Sequence, residues 1–353
     1  MTEAKKDRRK FSRLFPILFF ISLSANIFLL ALYIKERRSI PSYPIKESKG
    51  VQEIKPTQEE TKPSQEAKIV QEAKAPQGMV PLPFVYIKDR DYFLLCEKGK
   101  KALYLFHSEE GTISLIKSYS CIVGSNHVDK REAGVLATPE GIYFLTSFLS
   151  GDSLPEKYGS GAFALNYPNF LDRSKGKKGS GIWLHGYFDH LERPPFSEGC
   201  VVVKDEVLKE LKGFIKIGDT PLVIVDTIQY KPREDQQRLS QTLSHFLKGW
   251  ETAWESRDPQ KYLNFYSRNF VSSDGKDYSK FKEYKYRVNR SKRFIQLQIE
   301  QKSIILSQKD RGEIAITRMD QDYRSDNFRS YSRKILYLKE NQGQWEIIGE
   351  VTL

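Results

Sequence analysis

The 21 residues at 14–34 carry no charge, and that run decides where the rest of the chain can fold. About 20 apolar residues in a helix span the hydrocarbon core of a bilayer, so 14–34 is expected to form a single N-terminal transmembrane helix. A cleaved signal peptide has a shorter apolar core and ends at small residues. Here the run ends in Leu32-Tyr33-Ile34 and enters Lys35-Glu36-Arg37-Arg38, which suits an uncleaved signal anchor. The tail at 1–13 is short and basic. Basic residues just beyond the span nearly match it, but the short tail favours a cytoplasmic N-terminus and an extracytoplasmic bulk. Residues 35–83 repeat Gln-Glu and Lys-Pro and hold few large apolar side chains. Such a segment cannot bury enough surface to offset the entropy of ordering, and reads as a disordered tether.

Two globular units are expected after it, at 84–228 and 236–353. In the first, apolar runs at 92–96 and 101–106 flank Lys98-Gly99-Lys100 as a hairpin. Further strands are expected at 113–123, 141–146, 181–184, 201–203 and 221–225, with one short helix at 205–214 capped by Asp205. This is a mainly β unit. In the second, Leu239, Leu243, Phe246, Leu247, Trp250, Ala253 and Trp254 recur at spacings of three and four, one apolar helix face. Asp258-Pro259 starts a second helix carrying Tyr262, Leu263 and Tyr266. A basic segment at 278–293 leads into strand-like stretches at 294–305, 313–319 and 331–351, the last broken at Asn341-Gln342-Gly343. Helices followed by a meander predict an α+β cone in which the sheet wraps a helix.

The formal net charge is +12, which points to an anionic partner such as a membrane surface or an acidic polymer. Zinc-finger spacing, an aromatic RNA-binding consensus and a basic-leucine heptad are all missing from the sequence, so nucleic acid is not expected. Residues 236–353 hold 22 Lys and Arg against 15 Asp and Glu, so most of the excess lies in the second unit.

Chemistry concentrates at 181–203, which reads GIWLHGYFDHLERPPFSEGCVVV. An apolar run ends in His185-Gly186, a polar turn follows, and Ser197-Glu198-Gly199-Cys200 enters a second apolar run. This layout can set an imidazole beside a thiol on neighbouring strands, the minimum for cysteine nucleophilic catalysis. Gly199 permits close backbone approach, and the amides of Gly199 and Cys200 can form an oxyanion hole; acyl transfer is the natural reaction class. Residue types alone leave two other readings open. One is a core histidine with a buried cysteine. The other is a metal site from His185, His190, Glu192 and Cys200, whose spacing matches no standard zinc motif. Cys96 and Cys121 lie in apolar strand-like runs and read as buried thiols rather than a disulfide. No metal and no cofactor are expected.

Four segments, taken in order, resemble the YkuD-type L,D-transpeptidase catalytic domain. They are Ala137-Thr138-Pro139-Glu140-Gly141-Ile142-Tyr143-Phe144, Ala164-Leu165-Asn166-Tyr167-Pro168, Gly181-Ile182-Trp183-Leu184-His185-Gly186 and Ser197-Glu198-Gly199-Cys200-Val201. The resemblance implies a β-rich sandwich acting on peptidoglycan stem peptides. It makes Cys200 the nucleophile on an L-centre carbonyl, His185 its base and the Gly186 carbonyl the group orienting the imidazole, with the Gly199 and Cys200 amides holding the oxyanion. The terminal D-amino acid leaves, and the thioacyl enzyme is resolved by an amine or by water. Tyr187, Asn166, Tyr167, Arg193, Ser197 and Lys204 are the expected substrate-binding residues. Two positions depart from the family pattern: Glu198 replaces a common histidine or arginine, and Val202 an arginine often found two positions after the cysteine. Lys204 or Arg193 are the substitutes for receiving a substrate carboxylate.

Residues 236–353 resemble a nuclear transport factor-like (NTF2-like, SnoaL-type) domain through Trp250-x-x-x-Trp254-x-x-x-Asp258 and the strands after it. The combination resembles L,D-carboxypeptidases that trim stem tetrapeptides and help set cell shape. The expectation is thus an inner-membrane, periplasm-facing cysteine acyltransferase on peptidoglycan, an L,D-transpeptidase or alternatively an L,D-carboxypeptidase. A non-catalytic wall-binding scaffold is the third reading, and a homodimer is left open.

Overall fold

The structure, a computed structural model, describes residues 76–353. The expected tail, transmembrane span and residues 35–75 of the tether lie outside them. No helix among the described residues is long and apolar enough to cross a membrane.

The chain opens with β1 (Met79–Pro81) and β2 (Phe84–Ile87), then β3 (Tyr92–Glu97), β4 (Ala102–Glu109), β5 (Thr112–Ser120), β6 (Gly141–Ser150) and β7 (Gly161–Leu165). Helix α1 (Phe170–Ser174), β8 (Trp183–His185), β9 (Val201–Val202), α2 (Asp205–Lys212), β10 (Pro221–Val225) and β11 (Tyr230–Pro232) follow. An eight-stranded sheet runs β5-β4-β3-β10-β6-β7-β8-β9. It bends at β6, whose first half pairs with β10 and whose second half pairs with β7. A bridge from Ile122 to Val202 joins the chain just after β5 to β9, so the sheet curls around Leu94, Leu103, Leu145, Leu184, Val201 and their neighbours. Cys96 and Cys121 lie in this core as free thiols with Sγ atoms 3.9 Å apart, far beyond the roughly 2.05 Å of a disulfide.

The second unit contains α3 (Arg233–Glu255), α4 (Pro259–Leu263), β12 (Tyr266–Ser272), α5 (Tyr278–Arg290), β13 (Ile295–Leu306), β14 (Ile314–Ser325), β15 (Arg329–Asn341) and β16 (Gln344–Thr352). Leu243, Leu247, Trp250, Ala253 and Trp254 of α3 are buried, on the face the spacing predicts. The Asp258 carboxylate caps α4 by accepting from the amides of Gln260 and Lys261 at 2.9 and 3.2 Å. Tyr266 does not continue this helix, contrary to the periodicity. It starts β12 and enters the same core, its hydroxyl accepting from Trp250 Nε1 at 3.0 Å.

Two boundaries move. Residues 79–81, expected in the tether, pair with β11. Residues 84–87, expected in the first unit, form the edge of the second unit's six-stranded sheet, β12-β16-β15-β14-β13-β2. A bulge accompanies the second shift: consecutive Ile304 and Ile305 pair with Tyr86 and Phe84, skipping Val85, and Val85 joins the helix-side core whereas Phe84 and Ile87 join the core against the catalytic sheet. The two sheets share that core. Phe93, Leu95, Tyr104, Val223 and Val225 on one side meet Ile305, Ile316, Ile335 and Tyr337 on the other. Strands buried on both faces read as continuous apolar runs, the pattern at 92–96 and 221–225. Arg318 of β14, fully buried, crosses the joint to donate to the Gly218 carbonyl at 3.1 Å and to pair with Asp219, while holding Asp320 at 2.8 Å.

Candidate active site

Strand β8 pairs antiparallel with β7 and parallel with β9, with His185 opposite Val202. Leu184, Val201 and Val203 point into the interior core. Side chains alternate along a strand, so His185 projects from the other face, and Cys200, two residues before Val202, shares that face. The parallel pairing thus puts on one face of the sheet the two residues that the sequence separates by a proline-containing turn.

Glycines set how closely the backbone packs here. Gly199 has φ +129°, and a Cβ there would lie 2.6 Å from the Ala137 carbonyl oxygen. A Cβ on Gly186 would lie 2.7 Å from Asp205 Oδ1. Ser197 locks the elbow: its hydroxyl donates to the Cys200 carbonyl at 2.6 Å and accepts from the Gly199 amide at 3.1 Å. Both bonds lie within the turn, so the Ser197 hydroxyl, expected to meet substrate, is engaged there, and so is the Gly199 N–H of the expected oxyanion pair, leaving the Cys200 amide as its other member.

The imidazole Nδ1 lies 2.8 Å from the Gly186 carbonyl oxygen. A carbonyl only accepts, so Nδ1 carries the proton and Nε2 keeps its lone pair as a base. Burial pushes His185 down to about 4, against the Gly186 bond, which favours the cation, and with help from Arg193 and Lys157. The ring is neutral at physiological pH. The ring of Tyr158 packs edge-on against it at 4.9 Å, a neighbour that sequence reasoning missed. Burial also pushes the Cys200 thiol up; an amide bond from Trp183 opposes this, Glu198 adds to it, and Lys130 and Lys157 pull it back. The thiol donates to the Gly181 carbonyl at 3.6 Å, and among the described residues no hydrogen bond joins Sγ to His185. Catalytic hydrogen bonds are commonly long before substrate binds. The resting pair is therefore thiol plus neutral imidazole, not thiolate plus imidazolium.

The other expected substrate residues divide. Asn166 Oδ1 accepts from the Phe144 amide at 2.9 Å, and the buried Tyr167 hydroxyl donates to the Lys178 carbonyl at 3.1 Å; both fasten loops to the sheet. Lys204 is paired with Asp189 at 2.8 Å. Tyr187 and Arg193 contact each other, with the guanidinium 4.7 Å from the ring centroid. His190 lies 3.3 Å from Glu156, and no group of three or more potential metal ligands gathers among the described residues. Two residues escaped the sequence reading. Asp205, expected as a helix cap, is the first residue of α2, and its carboxylate accepts from the Ser160 amide at 2.5 Å beside Gly186. Lys130 is buried, its ammonium bonded to the Val135 carbonyl, and burial pushes it below the usual lysine range against the pull of Cys200 and Glu198.

The second unit holds a cavity of about 890 Å³ lined by Trp254, Tyr284, Lys285, Phe328, Lys334 and Glu350 among others. Lys334 pairs with Glu350, and the Lys285 ammonium lies 4.3 Å from the Trp254 ring centroid and 4.8 Å from that of Tyr262.

The model of the YkuD L,D-transpeptidase catalytic domain matches residues 87–225, and that of the Cds6 C-terminal NTF2-like domain matches 242–351. Bd1075 of Bdellovibrio bacteriovorus is 31% identical, with a TM-score of 0.65 over 78% of this chain and 98% of that one. The chain belongs to the YkuD L,D-transpeptidase family with a C-terminal NTF2-like domain. This family assignment fits the helical cell shape determining protein Pgp2 from Campylobacter jejuni as well. Pgp2 is 26% identical, with a TM-score of 0.60 over 77% of this chain and 95% of that one. No curated protein matches the sequence. The YkuD and NTF2-like units are the two bodies expected from the sequence, and the family acts on peptidoglycan as L,D-transpeptidases or carboxypeptidases.

Proposed function

We propose that the protein is a peptidoglycan-modifying cysteine acyltransferase, held at the inner membrane by residues 14–34 with its catalytic unit in the periplasm. The observation that carries the reading is the buried imidazole whose Nδ1–H is fixed on Gly186, on the strand parallel to the one that Cys200 enters. His185 Nε2 takes the thiol proton as Sγ attacks the L-centre carbonyl of a stem peptide. The tetrahedral oxyanion forms beside the Cys200 amide. On collapse the C–N bond breaks, and the proton returns from His185 to the departing D-amino acid's nitrogen. An acceptor amine then attacks the thioester, again passing a proton through His185, and the Cys200 thiol is regenerated. A base at Nε2 and a proton-bearing thiol suit this cycle, because each half-reaction begins with proton removal.

A second resolution, by water, gives an L,D-carboxypeptidase. It is supported by the domain combination and by the likeness to Pgp2, a cell shape determining protein, over 95% of that chain. One measurement separates the two. The full-length protein in detergent is incubated with tetrapeptide-stem muropeptides, and the products are weighed. A cross-linked dimer means an amine acceptor, and loss of one D-amino acid without a dimer means water. Unchanged substrate would sink both readings.

A further inference from the structure

Arg193 is an arginine that the proton transfers leave unused. It lies in the turn between His185 and Cys200, its Cζ 4.7 Å from the Tyr187 ring centroid, with its Nε and Nη1 buried and lacking a hydrogen-bond partner among the described residues. Buried donors without acceptors are destabilising, more so when charged, so an acceptor belongs there. The fork of a guanidinium matches a carboxylate through paired N–H bonds, and the contact with Tyr187 holds the group in place. Burial pushes Arg193 itself below its usual range, and its charge disfavours the His185 cation.

Of the other cations near the pair, Lys157 is exposed with its ammonium 5.1 Å from the Tyr158 ring centroid, and two are committed elsewhere. Lys204 is paired with Asp189 at 2.8 Å, and Lys130 is bonded to the Val135 carbonyl. Val202 is fully buried and bridged to Ile122, so that position offers no charge. We propose that Arg193, presented by Tyr187, receives the free terminal carboxylate of the residue that leaves, and so confines cleavage to the last peptide bond of a stem. The proposal rests on the acyl-transfer reading for the identity of the leaving residue, but the carboxylate receptor itself does not.

Two arms test it on the full-length protein. In the first, Cys200 is alkylated with iodoacetate, which carries a carboxylate, and with iodoacetamide, which does not. Arg193→Met should lower the iodoacetate rate relative to iodoacetamide by about tenfold or more, as expected for loss of a charge-assisted hydrogen bond. Any change in thiolate fraction moves both rates alike and leaves their ratio, and Cys96 and Cys121, buried in the fold, should stay unlabelled in a folded variant. Arg193→Lys, which keeps the charge but not the fork, should fall between. In the second arm, stems ending in a free carboxylate or a carboxamide are compared, and Arg193→Met should raise KM only for the carboxylate. An unchanged iodoacetate to iodoacetamide ratio would overturn the proposal and leave acyl transfer standing. A shifted ratio in a protein that turns over no stem peptide would uphold the receptor and overturn the acyl-transfer reading.

Discussion

The imidazole of His185 and the carboxylate of Glu350 are both largely withdrawn from solvent, yet they end in opposite charge states. Around His185 nothing accepts from the ring but one carbonyl, and Arg193 and Lys157 repel a proton, so burial leaves it neutral at physiological pH. Around Glu350 burial works against the charge too, but Lys334 and Lys285 outweigh it and hold the carboxyl below its usual range. Tyr266 adds a hydroxyl bond at 3.0 Å. The catalytic unit thus keeps a proton acceptor in reserve, whereas the cone keeps a fixed ion pair. The first arrangement suits a group that must change protonation during each turnover, and the second suits a wall that must not.

The largest expected effect breaks the catalytic side. Cys200→Ala should abolish thioester formation and lower turnover of stem peptides by about 10⁴-fold or more, with the folded state intact. His185→Gln should lower kcat/KM by about 10²–10⁴-fold. Both are read by product mass against time, and equal turnover by Cys200→Ala would remove the nucleophile assignment. On the cone side, Lys334→Met leaves Glu350 with only Lys285 as a counter-charge. Removing one partner of a buried pair costs about 3–5 kcal/mol, and urea unfolding should show a loss toward the lower end. Lys334→Met with Glu350→Gln should recover most of it. If the double variant is as unstable as the single one, the pair is not what stabilises this wall.

Much of this was legible from residue pattern, and the failures share a physical cause. The strands at 92–96 and 221–225 announce themselves as apolar runs, and α3 as a face of Leu and Trp residues. That the cone covers the outer face of those strands was not readable, because a run buried on both sides does not say what buries it. Tyr262 and Tyr266 are spaced as on a helix, and only the structure shows one on α4 and the other on β12, with their hydroxyls hydrogen-bonded. At the site, His185, Gly186 and Cys200 were identifiable because chemistry restricts which residue types can serve. Asn166, Tyr167 and Ser197 are harder to read, because the same polar groups that bind a substrate also fasten a loop, as their hydrogen bonds do here. The cavity of the cone had no signal in sequence, since Lys285 and Glu350 meet only once β16 lies beside the helices.

The smallest effect sharpens the comparison most, because pH acts on both centres in one experiment. His185 titrates near 4 in the folded protein, below its ordinary 6.5, so between those values the unfolded chain binds a proton that the folded chain refuses. Unfolding free energy then rises with pH across that window. The contribution of His185 is complete above about 6.5 and declines as pH falls toward about 4, by at most about 3 kcal/mol. Glu350 behaves differently: its carboxyl is held below the ordinary 4.5, so its contribution is complete above that value and declines only below it. Urea midpoints measured from neutral pH down to the ordinary glutamate value should therefore fall for the wild type more than for His185→Gln, which has no proton to refuse. Lys334→Met should lower stability at every pH in that range without removing the slope. If His185→Gln loses stability with falling pH as steeply as the wild type, burial is not what keeps the imidazole neutral. The imidazole would then titrate in its ordinary range near 6.5, and wherever it is charged the attack would start from a thiolate already formed, the first proton passing from the imidazolium to the departing nitrogen.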